Sequence, residues 1–98
     1  MSRVDLRSDT VTQPTPPMRE AMAKAPVGDE QRGEDPSVNK LCKMAAELTG
    51  KESAVFMPSG TMCNQASVLV HCQPGDEIIA DKTSHLINSE SGGAAALA

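Results

Sequence analysis

The sequence has no tryptophan, no tyrosine and a single phenylalanine, Phe56. Aliphatic residues do little to make up the shortage. Six Leu, three Ile, seven Val and that Phe come to 17 of 98 residues. This inventory lies below the roughly 20% at which low hydrophobicity begins to point to disorder. Positive charge is also scarce: 9 Lys and Arg against 13 Asp and Glu leave a net charge of −4. That balance excludes a strongly basic nucleic-acid module, and no dense Lys/Arg run marks a membrane-surface helix. No apolar stretch approaches the roughly 20 residues that span a bilayer. The opening Met1–Arg7 has no apolar run of the kind a secretory signal needs, so a cytoplasmic location is expected. Cys42, Cys63 and Cys72 are odd in number and lack CxxC spacing, which disfavours a disulfide framework or a structural zinc site. Buried, reduced thiols and no metal are expected.

What the chain does have is pattern. At 98 residues it makes at most one small domain. Pro14, Pro16 and Pro17 fix extended backbone and then open a helix over 17–25, because a first turn needs no amide donor. Met18, Ala21, Met22 and Ala25 give it one apolar face, and Pro26 stops it. A polar loop from Gly28 to Pro36 follows. The second helix has Asp35 at its N-cap, Pro36 at N1 and Gly50 as its stop, with Val38, Leu41, Cys42, Ala45 and Leu48 as its stripe. Ser53–Met57 suits a buried strand, Pro58–Thr61 breaks it, and Met62–His71 is helical. Gln73–Asp76 is a turn, and Glu77–Ala80 a second short strand. A last helix opens near Ser84 or His85 and carries the alanine-rich end. Alternating strand and helix argue for an α/β fold with a parallel pairing. A patterned chain with so thin a core, ending on Gly92–Ala98 without a polar cap, is expected to be part of a larger domain.

Two places can carry chemistry. Ser59-Gly60-Thr61 lies where a strand gives way to a helix. Free amides, a glycine that permits close approach and two hydroxyls make a phosphate cup there. The same tripeptide also reads as an ordinary N-cap. It is not a Walker A loop, since no Gly-Lys-Ser/Thr follows. His85 follows the second strand, at the edge where α/β folds place ligands. Its imidazole can stack on a planar cofactor, accept a proton, or simply cap. His71, at a helix end where a cation suits the macrodipole, reads as structural. Ser8, Asp9 and Thr10, flanked by Asp5 and Arg7, form either a substrate-contacting arm or a solvated segment.

Taken together, these pieces are more specific than any one of them. Asp5–Thr12, Ala25–Asp29, Gly33–Pro36, Ala46–Glu52, Pro58–Met62, Gln73–Glu77, His85 and Glu90–Leu97 closely resemble the L-threonine aldolases of the low-specificity type. Order and spacing hold over essentially all of the chain, against only the N-terminal part of the family's longer one. The resemblance implies a pyridoxal-5′-phosphate enzyme of the aspartate-aminotransferase fold group (fold type I), with an incomplete parallel or mixed sheet. Residues 1–34 would be an arm and loop, and 35–98 the start of the cofactor-binding domain. It also implies a cytoplasmic homotetramer that breaks threonine into glycine and acetaldehyde, with no nucleic-acid or membrane partner. The ring of such a cofactor acts as an electron sink. By the same resemblance, Ser59, Gly60 and Thr61 match the phosphate-binding turn. His85 matches a catalytic, cofactor-binding histidine stacked on the ring, and Ser8 a residue near the substrate carboxylate.

The chain departs from the family at two points. A Tyr usually precedes the Gly that corresponds to Gly33, and here Arg32 stands there. None of Lys24, Lys40, Lys43, Lys51 and Lys82 matches the cofactor lysine, which lies beyond residue 98 together with the acid and arginines that complete the site. Two rivals share these motifs: an aldolase preferring allo-threonine or phenylserine, and a truncated, non-catalytic product that binds phosphate or a partner.

Overall fold

A computed structural model describes residues 4–97. The contacts divide the chain into two units, Met1–Ala54 and Val55–Ala98.

In the first unit, a single 3₁₀ turn at Asp9–Val11 precedes helix α1, Pro16–Lys24. The helix begins and ends one residue before its expected bounds. Its two leading prolines have no amide to satisfy, and Thr15 makes no side-chain cap. The expected apolar face is present but uncovered, with Met18 and Met22 both more than half exposed. A second 3₁₀ turn, Glu30–Arg32, ends on Gly33 in the left-handed conformation.

Helix α2, Pro36–Thr49, is closed at both ends by side chains and turns that the sequence announces. Asp35 Oδ1 accepts from the amides of Ser37 and Val38, each at 2.9 Å. Its Oδ2 accepts from the Gly28 amide at 3.0 Å, so one carboxylate caps the helix and clips the loop before it. The Val38 and Gly28 amides are the main reason the Asp35 carboxyl is held below its usual range. At the other end Gly50 takes φ 66°, the Gly50 amide donates to Glu47 O and the Lys51 amide to Ala46 O. This is a Schellman closure, which needs a residue free to adopt positive φ. The stripe of α2 is only partly covered: Ala46 is buried, whereas Leu48 is 89% exposed.

The second unit holds α3 (Gly60–His71), α4 (His85–Asn88) and α5 (Gly93–Leu97). α3 packs on α5, and Val68 is buried. The packing is close enough that a Cβ on Gly93 would fall 2.6 Å from Gln65 Oε1. His71 is the last residue of α3, ahead of the turn closed by the Asp76 amide to Gln73 O.

Four expectations need correction. No strand forms among the described residues, so the strands expected at 53–57 and 77–80, and their parallel pairing, are not present. A strand exists only with a neighbour that takes its backbone donors and acceptors, and neither segment has one here. Ile79 is accordingly 99% exposed. Second, α3 starts at Gly60 rather than Met62, because Ser59 is the cap and the helix begins with the residue after it. Third, the final helix is two short ones, interrupted where Ser91 (φ 54°) and Gly92 (φ 72°) turn the chain through the left-handed region. Last, the three thiols are free but not all buried: Cys42 and Cys72 are half-buried and Cys63 is exposed. The apolar inventory behind these facts is slight, since Ala46 and Val68 are the buried hydrophobic residues among those described.

Candidate cofactor site

The second unit places the Ser59–Thr61 turn and His85 with respect to one helix, α3. Ser59 has extended backbone, and its Oγ accepts from the Met62 amide at 3.1 Å while its carbonyl accepts from the Cys63 amide. Ser59 is therefore an N-cap, one of the two readings its sequence allows. Capping does not close the site, because an accepting hydroxyl still has its own proton to donate. The amides of Gly60 and Thr61, in the first turn, have no helical carbonyl to reach. A Cβ at Gly60 would meet nothing within 4 Å, so no packing within this chain demands glycine there. An open backbone carrying two free amides, at the positive end of a twelve-residue helix, has the donor set an anion takes.

His85 is delivered by a separate device. Asp81 Oδ1 accepts from the Thr83 amide at 2.8 Å and its hydroxyl at 2.5 Å, and the Ser84 amide closes on Asp81 O. Both Thr83 donors hold the Asp81 carboxyl below its usual range. Asn88 Nδ2 reaches back to Lys82 O at 2.6 Å, and α4 opens at His85. The imidazole does not cap this helix. Its Nδ1 lies 2.8 Å from Glu90 Oε1, and the ring remains 60% exposed while the Glu90 side chain has no exposure at all. Glu90 Oε1 also accepts from Asn64 Nδ2 at 2.6 Å, and Oε2 from Gln65 Nε2.

These bonds bring His85 to the face of α3 that starts at the Ser59–Thr61 turn. Thr61, Asn64, Gln65 and Val68 follow one another at i, i+3, i+4 and i+7, a single stripe. Its first member belongs to the Ser59–Thr61 turn, the middle pair hold Glu90, and the last is buried. The sequence reading of chemistry omitted Asn64, Gln65 and Glu90. The available signal was the helical spacing of two amides from Thr61, but their acceptor lies 25 and 26 residues away.

Ser8 belongs to the first unit. Its Oγ accepts from the Thr10 amide at 3.2 Å and shares a 2.9 Å hydrogen bond with Thr10 Oγ1, so the residue caps the first 3₁₀ turn. Beside it Arg7 grips Asp5 in a two-pronged pair, Nη2 to Oδ2 at 2.6 Å and Nε to Oδ1 at 2.9 Å. Arg32 pairs with Asp29 at 3.6 Å and is exposed.

A turn of free amides at a helix start, and a planar imidazole anchored to the same helix, are parts that suit a phosphorylated, flat cofactor. The model of the beta-eliminating lyases matches residues 5–98, and the chain belongs to that family. Among individual proteins, it is 53% identical over 94 residues to the low specificity L-threonine aldolase of Escherichia coli (strain K12), covering 96% of this chain and 28% of that one. It is 55% identical over 95 residues to the probable low-specificity L-threonine aldolase 2 of Arabidopsis thaliana, covering 96% of this chain and 27% of that one. Against the low specificity L-threonine aldolase of Saccharomyces cerevisiae the figure is 42% over 94 residues, covering 95% and 24%. The chain thus spans about a quarter of the length of the curated relatives it matches.

Proposed function

We propose that residues 1–98 are the N-terminal part of a pyridoxal-phosphate lyase that cleaves L-threonine and related β-hydroxy-α-amino acids to glycine and an aldehyde. Residues 1–34 serve as an arm and loop, and 35–98 begin the cofactor-binding domain, whose sheet is completed by strands that pair with 53–57 and 77–80. The fold type I architecture, a cytoplasmic location and a homotetrameric assembly belong to the same proposal. Among the described residues no helix is long and apolar enough to cross a membrane. The observation that carries the reading is the shared stripe of α3, which ties the free amides at Gly60 and Thr61 to the imidazole of His85.

The residues present fit the cofactor by the chemistry of their donors and by the open space above Gly60. When bound, the cofactor supplies an electron-poor ring that takes up the electron pair of the breaking Cα–Cβ bond. The chain's own residues act around it. The amides of Gly60 and Thr61, with the hydroxyls of Ser59 and Thr61, would hold the cofactor's phosphate at the start of α3. His85 would offer its flat face to the ring of the bound cofactor and help to exclude water from it. Ser8 contributes a hydroxyl to the substrate carboxylate. By the same resemblance, none of Lys24, Lys40, Lys43, Lys51 and Lys82 matches the family's cofactor lysine, and in this proposal that role falls to a lysine past residue 98 in the full-length protein.

The test is turnover by the full-length protein loaded with pyridoxal phosphate. Glycine and acetaldehyde are expected from L-threonine in equal amounts, and the isolated 98-residue chain is expected to match free cofactor. Failure of the full-length protein on threonine, with activity on allo-threonine or phenylserine, would move the substrate assignment. No turnover of any of the three would remove it.

A further inference from the structure

Glu90 is the buried charged residue among those described, and everything around it donates. Asn64, Gln65 and His85 all point a nitrogen at its carboxylate, from two helices that the sequence separates by more than a dozen residues. An ionised carboxylate only accepts, so three donors are what it can satisfy in a dry position. The Asn64 amide, then His85, hold the Glu90 carboxyl below its usual range against the opposing effect of burial. With the acceptor ionised, the nitrogen facing it must carry the hydrogen.

The backbone is bent to make this arrangement. Directly after Glu90 the chain passes through the left-handed region twice, at Ser91 and at Gly92, and Ser91 has a Cβ that disfavours it. The Gly93 amide then returns to Glu90 O at 2.9 Å. Gly93 also leaves the space that Gln65 occupies. Ser91, Gly92 and Gly93 are thus all committed to presenting one carboxylate inward.

We propose that Glu90 is a positioning residue for His85: clamped by Asn64 and Gln65, it fixes the imidazole as the Nδ1–H tautomer with Nε2 as the ring's free acceptor. The tautomer follows from this chain alone. Only its consequence for turnover rests on the reading of His85 as the residue stacked on the cofactor.

The tautomer can be read without cofactor. In the full-length apo-protein labelled with ¹⁵N-histidine, at about pH 9, where an ordinary imidazole is neutral, two-bond ¹H–¹⁵N correlations distinguish a protonated Nδ1 from a protonated Nε2. The wild type is expected to show His85 as Nδ1–H. Glu90→Gln, which keeps a carbonyl acceptor, should keep that pattern. Glu90→Leu should shift the ring toward Nε2–H, the form favoured in water. After loading with cofactor, Glu90→Leu should lower kcat about 10–100-fold with KM little changed, and Glu90→Gln should recover most of it. An Nε2–H ring in the wild type overturns the proposal, as does an unchanged ring in a folded Glu90→Leu. The stacking reading fails separately: if His85→Phe and His85→Ala hold pyridoxal phosphate equally well, it falls while an Nδ1–H ring still supports the clamp.

Discussion

Helix α2 and the Glu90 clamp are both closed by carboxylates, yet they are built on opposite principles. Asp35 finds its three amides two, three and seven residues away. Glu90 reaches across 25 and 26 residues to Gln65 and Asn64, and five back to His85. The first arrangement forms wherever its own short segment forms. The second exists only after α3, α4 and α5 have come together. Local closure is therefore the part of this molecule that makes elements, and long-range closure the part that makes a site.

The difference can be broken from the local side first. Gly28→Ala would set a Cβ 2.3 Å from Glu34 O and 2.8 Å from Glu34 C, backbone atoms that cannot swing away. The loop must shift and the Asp35–Gly28 hydrogen bond with it. A loss of about 1–3 kcal/mol is expected in urea unfolding of the full-length protein, as for other overpacked positions. A loss under 0.5 kcal/mol, on the order of a featureless surface change, would show that this loop does not govern the start of α2.

A smaller loss is expected for Asp35→Ala, and its pH dependence carries the information. The Asp35 carboxyl is depressed in the folded chain below its ordinary value of 3.8. Its contribution is therefore fully present above that value and is lost as pH falls through the lower, folded one. The stability gap between wild type and Asp35→Ala should be constant from neutral pH down to about 5, then close below 3.8. A gap that widens on acidification would reverse the assignment.

On the long-range side, Gly93→Ala makes Gln65 move, since the contact at 2.6 Å is to the end of a flexible side chain. The fold should tolerate this with a loss below about 1.5 kcal/mol, while Glu90 is left with one donor fewer. The Gln65 side-chain amide resonances should shift toward those of a free amide. If they stay in place, Gln65 is not part of the clamp.

The smallest effect is a gain. Ser91→Gly removes the Cβ from a residue at φ 54° and should leave the protein about 0.5–1 kcal/mol more stable. Destabilisation instead would mean that the Ser91 side chain supports the turn.

The same contrast explains how much the sequence disclosed. Pro36 after Asp35, and Gly50 after Thr49, are signals confined to a few residues, and α2 falls between them as expected. Ser59 was legible as a cap because that use rests on its immediate neighbours. Ser53–Met57 and Glu77–Ala80 have the composition of strands, but a strand is a property of a pair. Among the described residues neither finds a partner, and the segments stay without a ladder. The break at Ser89–Gly92 was hidden for a related reason. The alanines beyond it favour helix, and what interrupts them is the inward turn of Glu90 toward a helix 25 residues earlier. Nothing in the sequence around His85 announces its hydrogen bond to Glu90, which forms only once the chain has folded.

In the proposal, the second unit contributes Ser59–Thr61 and His85 to a pyridoxal-phosphate site, with His85 against the ring. This assignment is tested most directly by the cofactor's dissociation constant in full-length protein for wild type, His85→Phe and His85→Ala. The phenylalanine variant is expected to stay close to wild type and the alanine variant to bind several-fold more weakly, because only a flat face is required. Equal affinities in the two variants, with both losing turnover by about 10²–10⁴-fold, would contradict it and make His85 a base instead.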